Sequence, residues 1–72
     1  MRSFDDPQGG PWQAAVLDAS YGSMLLVFSH AGDGRVFKTT MAAENVRLAE
    51  QQLAEMDESQ LRELLVQSVP WE

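Results

Sequence analysis

The chain has 72 residues, a formal net charge of −6 and 44% apolar residues. This length allows one small domain of modest stability, and the apolar content is too high for a disordered chain. The absence of cysteine excludes disulfides and thiol chemistry, and the longest apolar run, 24–28, falls far short of the roughly 20 residues of a membrane helix.

The first eleven residues predict a flexible tail. They contain an Asp-Pro pair and a Gly-Gly-Pro run, which mark turns and loops, and Phe4 is their only large apolar side chain besides the initiator methionine. The same stretch lacks the apolar segment of a secretory signal, so we expect a cytoplasmic protein. Residues 12–72 are expected to form a single domain.

Three strands follow in the predicted order. Apolar residues alternate over 12–17, and strand-forming residues dominate 23–29 and 35–39. The first turn falls on 18–22, where Gly22 can take a positive φ without steric cost. An Asp-Gly pair at 33–34 marks the second turn. Because both connections are short, the strands are expected to form an antiparallel meander in the order 1-2-3.

Two helices are predicted after the strands. Thr40 can cap the first helix, whose apolar residues recur at three and four positions from Ala42 to Met56. Asp57 and Gln60 resemble a capping box at the start of a second helix that runs from 58 to about 68, and Pro70 ends it. A single helix over 41–68 is the alternative, but it would place polar side chains on the apolar seam. The predicted fold is therefore α+β, a three-stranded antiparallel β-meander followed by two α-helices packed on one face.

The second predicted strand is apolar on both sides. Leu25 and Val27 point away from the face that carries Leu26. We expect Leu17 and either Val36 or Phe37 to join Leu25 and Val27. Two helices cover only one side of a sheet, so the far side needs another cover or stays partly exposed.

Three explanations stay open for the far side. The N-terminal tail with Phe4, or the C-terminal end with Trp71, folds over it. A second copy of the chain packs on it or pairs through an edge strand. A different protein binds it. Trp71 either packs back onto the core, where burial of the indole would anchor the chain end, or offers its ring to a partner.

The sequence favours no enzyme class. His30 is the only histidine, and Ser29 beside it would point to the opposite face of a strand, so the two do not form a catalytic pair. His30 with Asp33 supplies at most two ligands, fewer than a closed zinc site needs. The glycines at 32 and 34 lack the spacing and the lysine of phosphate-binding loops. We therefore expect no catalytic residue, no cofactor, no metal site and no small-molecule substrate.

Charge is distributed unevenly along the chain. Residues 1–41 hold four acidic and three basic residues, whereas residues 42–72 hold seven acidic and two basic residues. No basic cluster is present to neutralise phosphates, so binding to nucleic acid or to an anionic membrane is not expected.

These observations predict a small, acidic, non-enzymatic accessory domain that binds another protein, or a second copy of itself as a homodimer, through an apolar sheet face. The predicted binding residues are Leu17, Leu25 and Val27, with Trp71 as an outlying anchor. The alternative is an acidic inhibitor or nucleic-acid mimic that docks on a basic site of a nucleic-acid-handling enzyme. Its charge would be carried by Glu44, Glu50, Glu55, Glu58 and Glu63.

Overall fold

An antiparallel sheet and two helices make up the structure, a computed structural model that describes residues 1–19 and 23–71. Within these residues the elements follow in the order β1 (Arg2–Asp5), β2 (Pro11–Asp18), β3 (Met24–His30), β4 (Val36–Met41), α1 (Val46–Glu55), α2 (Glu58–Gln67) and β5 (Val69–Pro70). The strands lie in the sheet in sequence order, and every neighbouring pair is antiparallel. The predicted α+β class and the antiparallel arrangement are confirmed.

The prediction of three strands is wrong, because the sheet of the described residues has five. Strand β1 lies inside the segment 1–11 that the sequence predicts as a flexible tail. Its Phe4 is 4% exposed, pairs in register with Trp12, and meets Phe28 edge-on with ring centroids 5.8 Å apart. Strand β5 has two residues, which pair with Phe37 and Lys38 of β4. Strand β1 has only one large apolar residue and β5 has only two residues, so neither strand shows an alternating apolar pattern in the sequence.

Only the second of the two predicted turns lies entirely within the described residues. The predicted first turn includes Ser20, Tyr21 and Gly22, which lie outside the described residues. The second turn is confirmed, since the His30 N–H donates to the Arg35 carbonyl at 2.8 Å and Gly34 takes a φ of +77°. A residue with a Cβ is strained at this φ, so glycine suits the position.

Helix α1 starts later than the sequence predicts. Thr40 and Met41 lie in β4, and the cap is Asn45, whose side chain accepts from the Leu48 N–H at 2.9 Å. Met41 pairs in register with Met24, so the sheet extends over residues that also suit a helix. Threonine and asparagine both cap helices well, and the sequence alone does not choose between them.

Helix α2 begins as predicted. The Asp57 side chain accepts from the Gln60 N–H at 2.8 Å, and the Gln60 side chain accepts from the Asp57 N–H at 3.1 Å, which completes a capping box. The chain therefore forms two helices, and the single-helix alternative is wrong. In the described residues neither helix is long and apolar enough to cross a membrane.

Both helices pack on one side of the sheet. Arg2 of β1 ties the edge of the sheet to the end of α1, because its guanidinium donates to the carbonyls of Leu53 and Met56 at 3.0 and 2.7 Å. The Leu53 carbonyl also accepts from the Met56 N–H at 3.3 Å, and a cation suits this end of the helix. The residues buried together in this core are Phe4, Trp12, Ala14, Leu26, Phe28, Leu53 and Leu61.

Candidate protein-binding face of the sheet

The side of the sheet opposite the helices is called the open face. Strand β3 shows how it arises: Leu26 and Phe28 are fully buried on the helix side, whereas Leu25 and Val27 alternate with them and stay half-buried. The register places Val27 between Ala15 of β2 and Lys38 of β4. The apolar residues of the open face are Ala15, Leu17, Leu25, Val27, Val36, Val69 and Trp71, and the same side also carries the polar residues Ser3, Asp5, Gln13, Ser29, Lys38 and Thr40.

An apolar groove of about 530 Å³ runs across the open face. It is shallow and faces solvent, and its polar content is small. On the open face Leu17 is 42% exposed, Val69 is 54% exposed and Trp71 is 44% exposed. The side chains that line the groove include Ala15, Leu17, Val27, Val36 and Trp71.

Trp71 reaches the groove because the chain continues the path of β5. Its backbone N–H donates to the Val36 carbonyl at 2.9 Å, which places the residue beside β4. The Lys38 Nζ lies 4.9 Å from the centroid of the indole ring, a cation–π distance. The indole is therefore held at the rim of the groove, with nearly half of its surface still in water.

The structure brings three of the four predicted binding residues into one groove, namely Leu17, Val27 and Trp71. Leu25 is the cross-strand neighbour of Leu17 and lines an adjoining depression. Sequence reasoning left the contribution of β4 undecided between Val36 and Phe37. The register resolves it: Phe37 pairs with Phe28 on the helix side, and Val36 faces the groove.

Alternation in β2 predicts that Ala15 lies on the same side as Leu17, and the register confirms it. Sequence reasoning missed Lys38 and Val69 as members of the open face. Lys38 and Val69 depend on the register between β4 and β5, which no sequence pattern predicts. The hypothesis that the N-terminal segment covers this side is wrong, because Phe4 is buried in the core on the helix side. The C-terminal end reaches the open face but covers only one side of it.

A polar cluster at one end of the sheet stabilises the β1–β2 hairpin. Asp6 accepts from the N–H groups of Gln8 and Gly10 at 2.9 and 2.7 Å, and from the Trp12 Nε1 at 2.8 Å. The hydrogen bond from Trp12, followed by that from Gly10, lowers the pKa of Asp6 below its ordinary value. Aspartate often accepts hydrogen bonds from backbone amides a few residues further along a turn, and Asp6 does so here. Sequence reasoning did not use this signal.

His30 lies beside this cluster at the end of β3. Its Nδ1 accepts from the Gly32 N–H at 3.0 Å and lies 3.3 Å from the Asp33 Oδ1, and its ring meets Trp12 edge-on. The backbone N–H of Arg35, together with the charge of that residue, lowers the pKa of Asp33. These contacts order the β3–β4 turn. In the described part of the chain, no three histidine or carboxylate side chains converge as metal ligands would.

Charged residues lie on both sides of the molecule. The acidic residues Glu50, Glu55, Glu58 and Glu63 are exposed on the helices, and Glu58 pairs with Arg62 at 2.8 Å. The open face carries Lys38 near its middle, beside Val27 and Val69. The helices therefore hold four of the eleven acidic residues, together with two of the five basic ones.

No family model matches the chain, and no curated protein or solved structure matches it either. Its function is therefore inferred from the residues and contacts described above.

Proposed function

We propose that the chain is a small, non-enzymatic protein-binding domain that uses the open face as its binding surface. The observation that carries the proposal is a sheet side lined with apolar residues, on which Leu17 and Trp71 remain 42% and 44% exposed while both helices pack on the other side. Contiguous apolar patches of this kind mark interaction surfaces in small domains.

The energetics support a role in association. Burying one large apolar side chain contributes about 1.5–3 kcal/mol, and the half-exposed residues of the open face would each contribute part of that. Tryptophan is enriched among the residues that dominate binding energies, because it combines a large contact area with few rotamers. Trp71 at the rim of the groove suits the role of an anchor.

The lining of the groove supports binding rather than catalysis. Among the described residues the lining side chains are aliphatic or aromatic, and they offer neither a nucleophile nor a general base. Ser29 and His30 lie on opposite sides of β3, since Ser29 pairs with Gln13 and Val36 whereas His30 packs on Trp12. A shallow apolar groove without acid or base is typical of a contact surface for a protein.

A second candidate function uses the helix side. The acidic residues Glu50, Glu55 and Glu63 are exposed there, as an inhibitor that imitates nucleic acid would require. Binding through these residues would weaken steeply with added salt, because exposed charges are screened within about 8 Å at physiological ionic strength. Binding through the open face would persist in salt.

Site-specific photocrosslinking tests the proposed function. A benzophenone side chain at Leu17, on the open face, is compared with the same group at Val66, which is 81% exposed on α2. In the cells that make the protein, Leu17 is expected to give a discrete protein adduct and Val66 is not. A folded Leu17 variant that yields no protein adduct would contradict the proposal, as would the same adduct from both positions.

A further inference from the structure

We propose that the occupant of the open face is a second copy of this chain, packed sheet against sheet in a two-fold symmetric dimer. The inference rests on the proposed function, that the open face binds protein. It adds the identity of the partner, which the distribution of charge, the partly covered sheet edges and the dimensions of the face favour.

The distribution of charge favours the open face over the helix side as the surface for self-association. Two copies that each carry a net charge of −6 repel one another, and residues 42–71, which include both helices, hold six of the eleven acidic residues and two of the five basic ones. Contact between the open faces turns both helix layers outward. Sheets pack about 10 Å apart and a helix adds about 10 Å on each outer side, so the acidic layers would stand roughly 30 Å from one another, well beyond the Debye length of about 8 Å.

The edges of the sheet are partly covered, which disfavours dimerisation by strand pairing, although β5 pairs only with Phe37 and Lys38 and does not extend along residues 39–41 of β4. At the β1 edge, the Arg62 Nε donates to the Asp5 carbonyl at 2.7 Å and occupies a backbone acceptor that a new strand would need. At the other edge, β5 has two residues, and Pro70 has no N–H to donate. Short strands, proline and covered edges all oppose edge-to-edge pairing. The broad open face is left as the surface for a second copy.

The open face is large enough for a stable dimer. The molecule extends over 34 × 27 × 18 Å, and the stacking of one helix layer on one sheet accounts for the shortest dimension. The two longer dimensions leave room for the roughly 800 Å² that each partner contributes to an interface of standard size. Face-to-face packing of two sheets also matches the geometry of β-sandwich cores.

Two-fold symmetry brings apolar residues of the two open faces together. In an isologous contact with the axis along the strands, the β4 side of one copy lies over the β1–β2 side of the other. Lys38 lies on β4, and the alternation of β1 places Asp5 on the open-face side of the opposite edge. An axis along the strands keeps each residue at its own level, so Leu17 and Leu25, which share one level, meet across the middle, whereas Lys38, level with Ala15, and Asp5, level with Pro11, stay apart along the strands.

Solution mass by light scattering on a sizing column tests the proposal. The wild type, Val27→Asp and the matched control Val66→Asp are compared at low salt and at about 1 M salt, where the Debye length falls to about 3 Å. The wild type and Val66→Asp are expected to show twice the 8.0 kDa of one chain at both salt concentrations. Val27→Asp is expected to show a single chain with its helical circular dichroism retained.

Leu17→Glu provides a second route if Val27→Asp fails to fold, because Leu17 is 42% exposed and tolerates a charge better. A wild-type mass of one chain would overturn the dimer. A dimer that survives Leu17→Glu, or dissociates equally with Val66→Asp, would overturn it as well, because the contact would then lie elsewhere.

The crosslinking experiment separates failure of the dimer from failure of the proposed function. A monomeric wild type whose Leu17 probe still forms an adduct with a different protein would refute the second copy and retain a protein-binding face. A monomeric wild type without any Leu17 adduct would refute both.

Discussion

The two sides of the sheet are built from similar residues and meet different surroundings. On the helix side of β3, Met24 is 4% exposed, and Leu26 and Phe28 are fully buried. On the other side, Leu25 and Val27 remain half-buried. The difference arises because two helices of ten residues each cover one side of the sheet. The apolar residues of the helix side form the core, whereas the proposed function assigns those of the open face to an interaction.

The largest expected effect comes from truncation on the helix side. Phe28→Ala is expected to lower the free energy of unfolding by about 3–5 kcal/mol, because it leaves a cavity in the core. Leu25→Ala, three positions earlier on the open face, is expected to cost about 1 kcal/mol, since a half-buried side chain loses only part of its transfer free energy. Urea denaturation followed by circular dichroism measures both.

Equal losses for Phe28→Ala and Leu25→Ala would show that both sides of the sheet are core. Val66→Ala, on the solvent side of α2, is the matched control and is expected to leave the urea midpoint unchanged.

The β1–β2 hairpin gives a pH-dependent prediction. Because hydrogen bonds lower the pKa of Asp6 below its ordinary value of 3.8, its contribution to stability is fully present above about that pH and is lost as the pH falls through the lower, folded value. Asp6→Asn is expected to be less stable than the wild type at pH 7 and to lose less on acidification. Part of the acid sensitivity remains, because the pKa of Asp33 is lowered too.

Urea midpoints at pH 7 and pH 3 measure this effect, with Asp5→Asn as the control at the neighbouring, exposed carboxylate. If Asp6→Asn matched the wild type at both pH values, the three hydrogen bonds to Asp6 would contribute nothing to stability.

The smallest expected effect is at the start of α2. Asp57→Ala removes one half of the capping box and is expected to cost about 1 kcal/mol. Ser59→Ala, in the first turn of the same helix, should change the midpoint little. Indistinguishable midpoints for the two variants would mean that the core packing of Leu61 alone sets the position of the helix.

Much of the fold follows from local patterns in the sequence. Alternation located β2 and β3, the Asp-Gly pair located the turn before β4, and Asp57 with Gln60 located the start of α2. The other features depend on contacts between distant residues. Phe4 becomes part of a strand only because Trp12 and Phe28 pack on it, and Met41 extends β4 because it pairs with Met24.

The candidate site shows the same division between local and distant information. The parity of β3 predicts that Leu25 and Val27 face away from the helices, and the structure places Leu17 and Trp71 near them. Whether β4 contributes Val36 or Phe37 is a matter of register, and a shift of one residue would exchange them. Local sequence therefore predicts which residues share a face of one strand, but not how neighbouring strands align.

Paired aspartate substitutions in β3 test the central comparison most directly. Leu26→Asp and Val27→Asp place the same charge at adjacent residues on opposite sides of the sheet, and circular dichroism with urea denaturation measures whether each variant folds. Leu26→Asp is expected to be unfolded, whereas Val27→Asp is expected to keep its helical signal and a cooperative transition. If Val27→Asp unfolds as Leu26→Asp does, Val27 belongs to the core, and the claim that this sheet has an open binding face is contradicted.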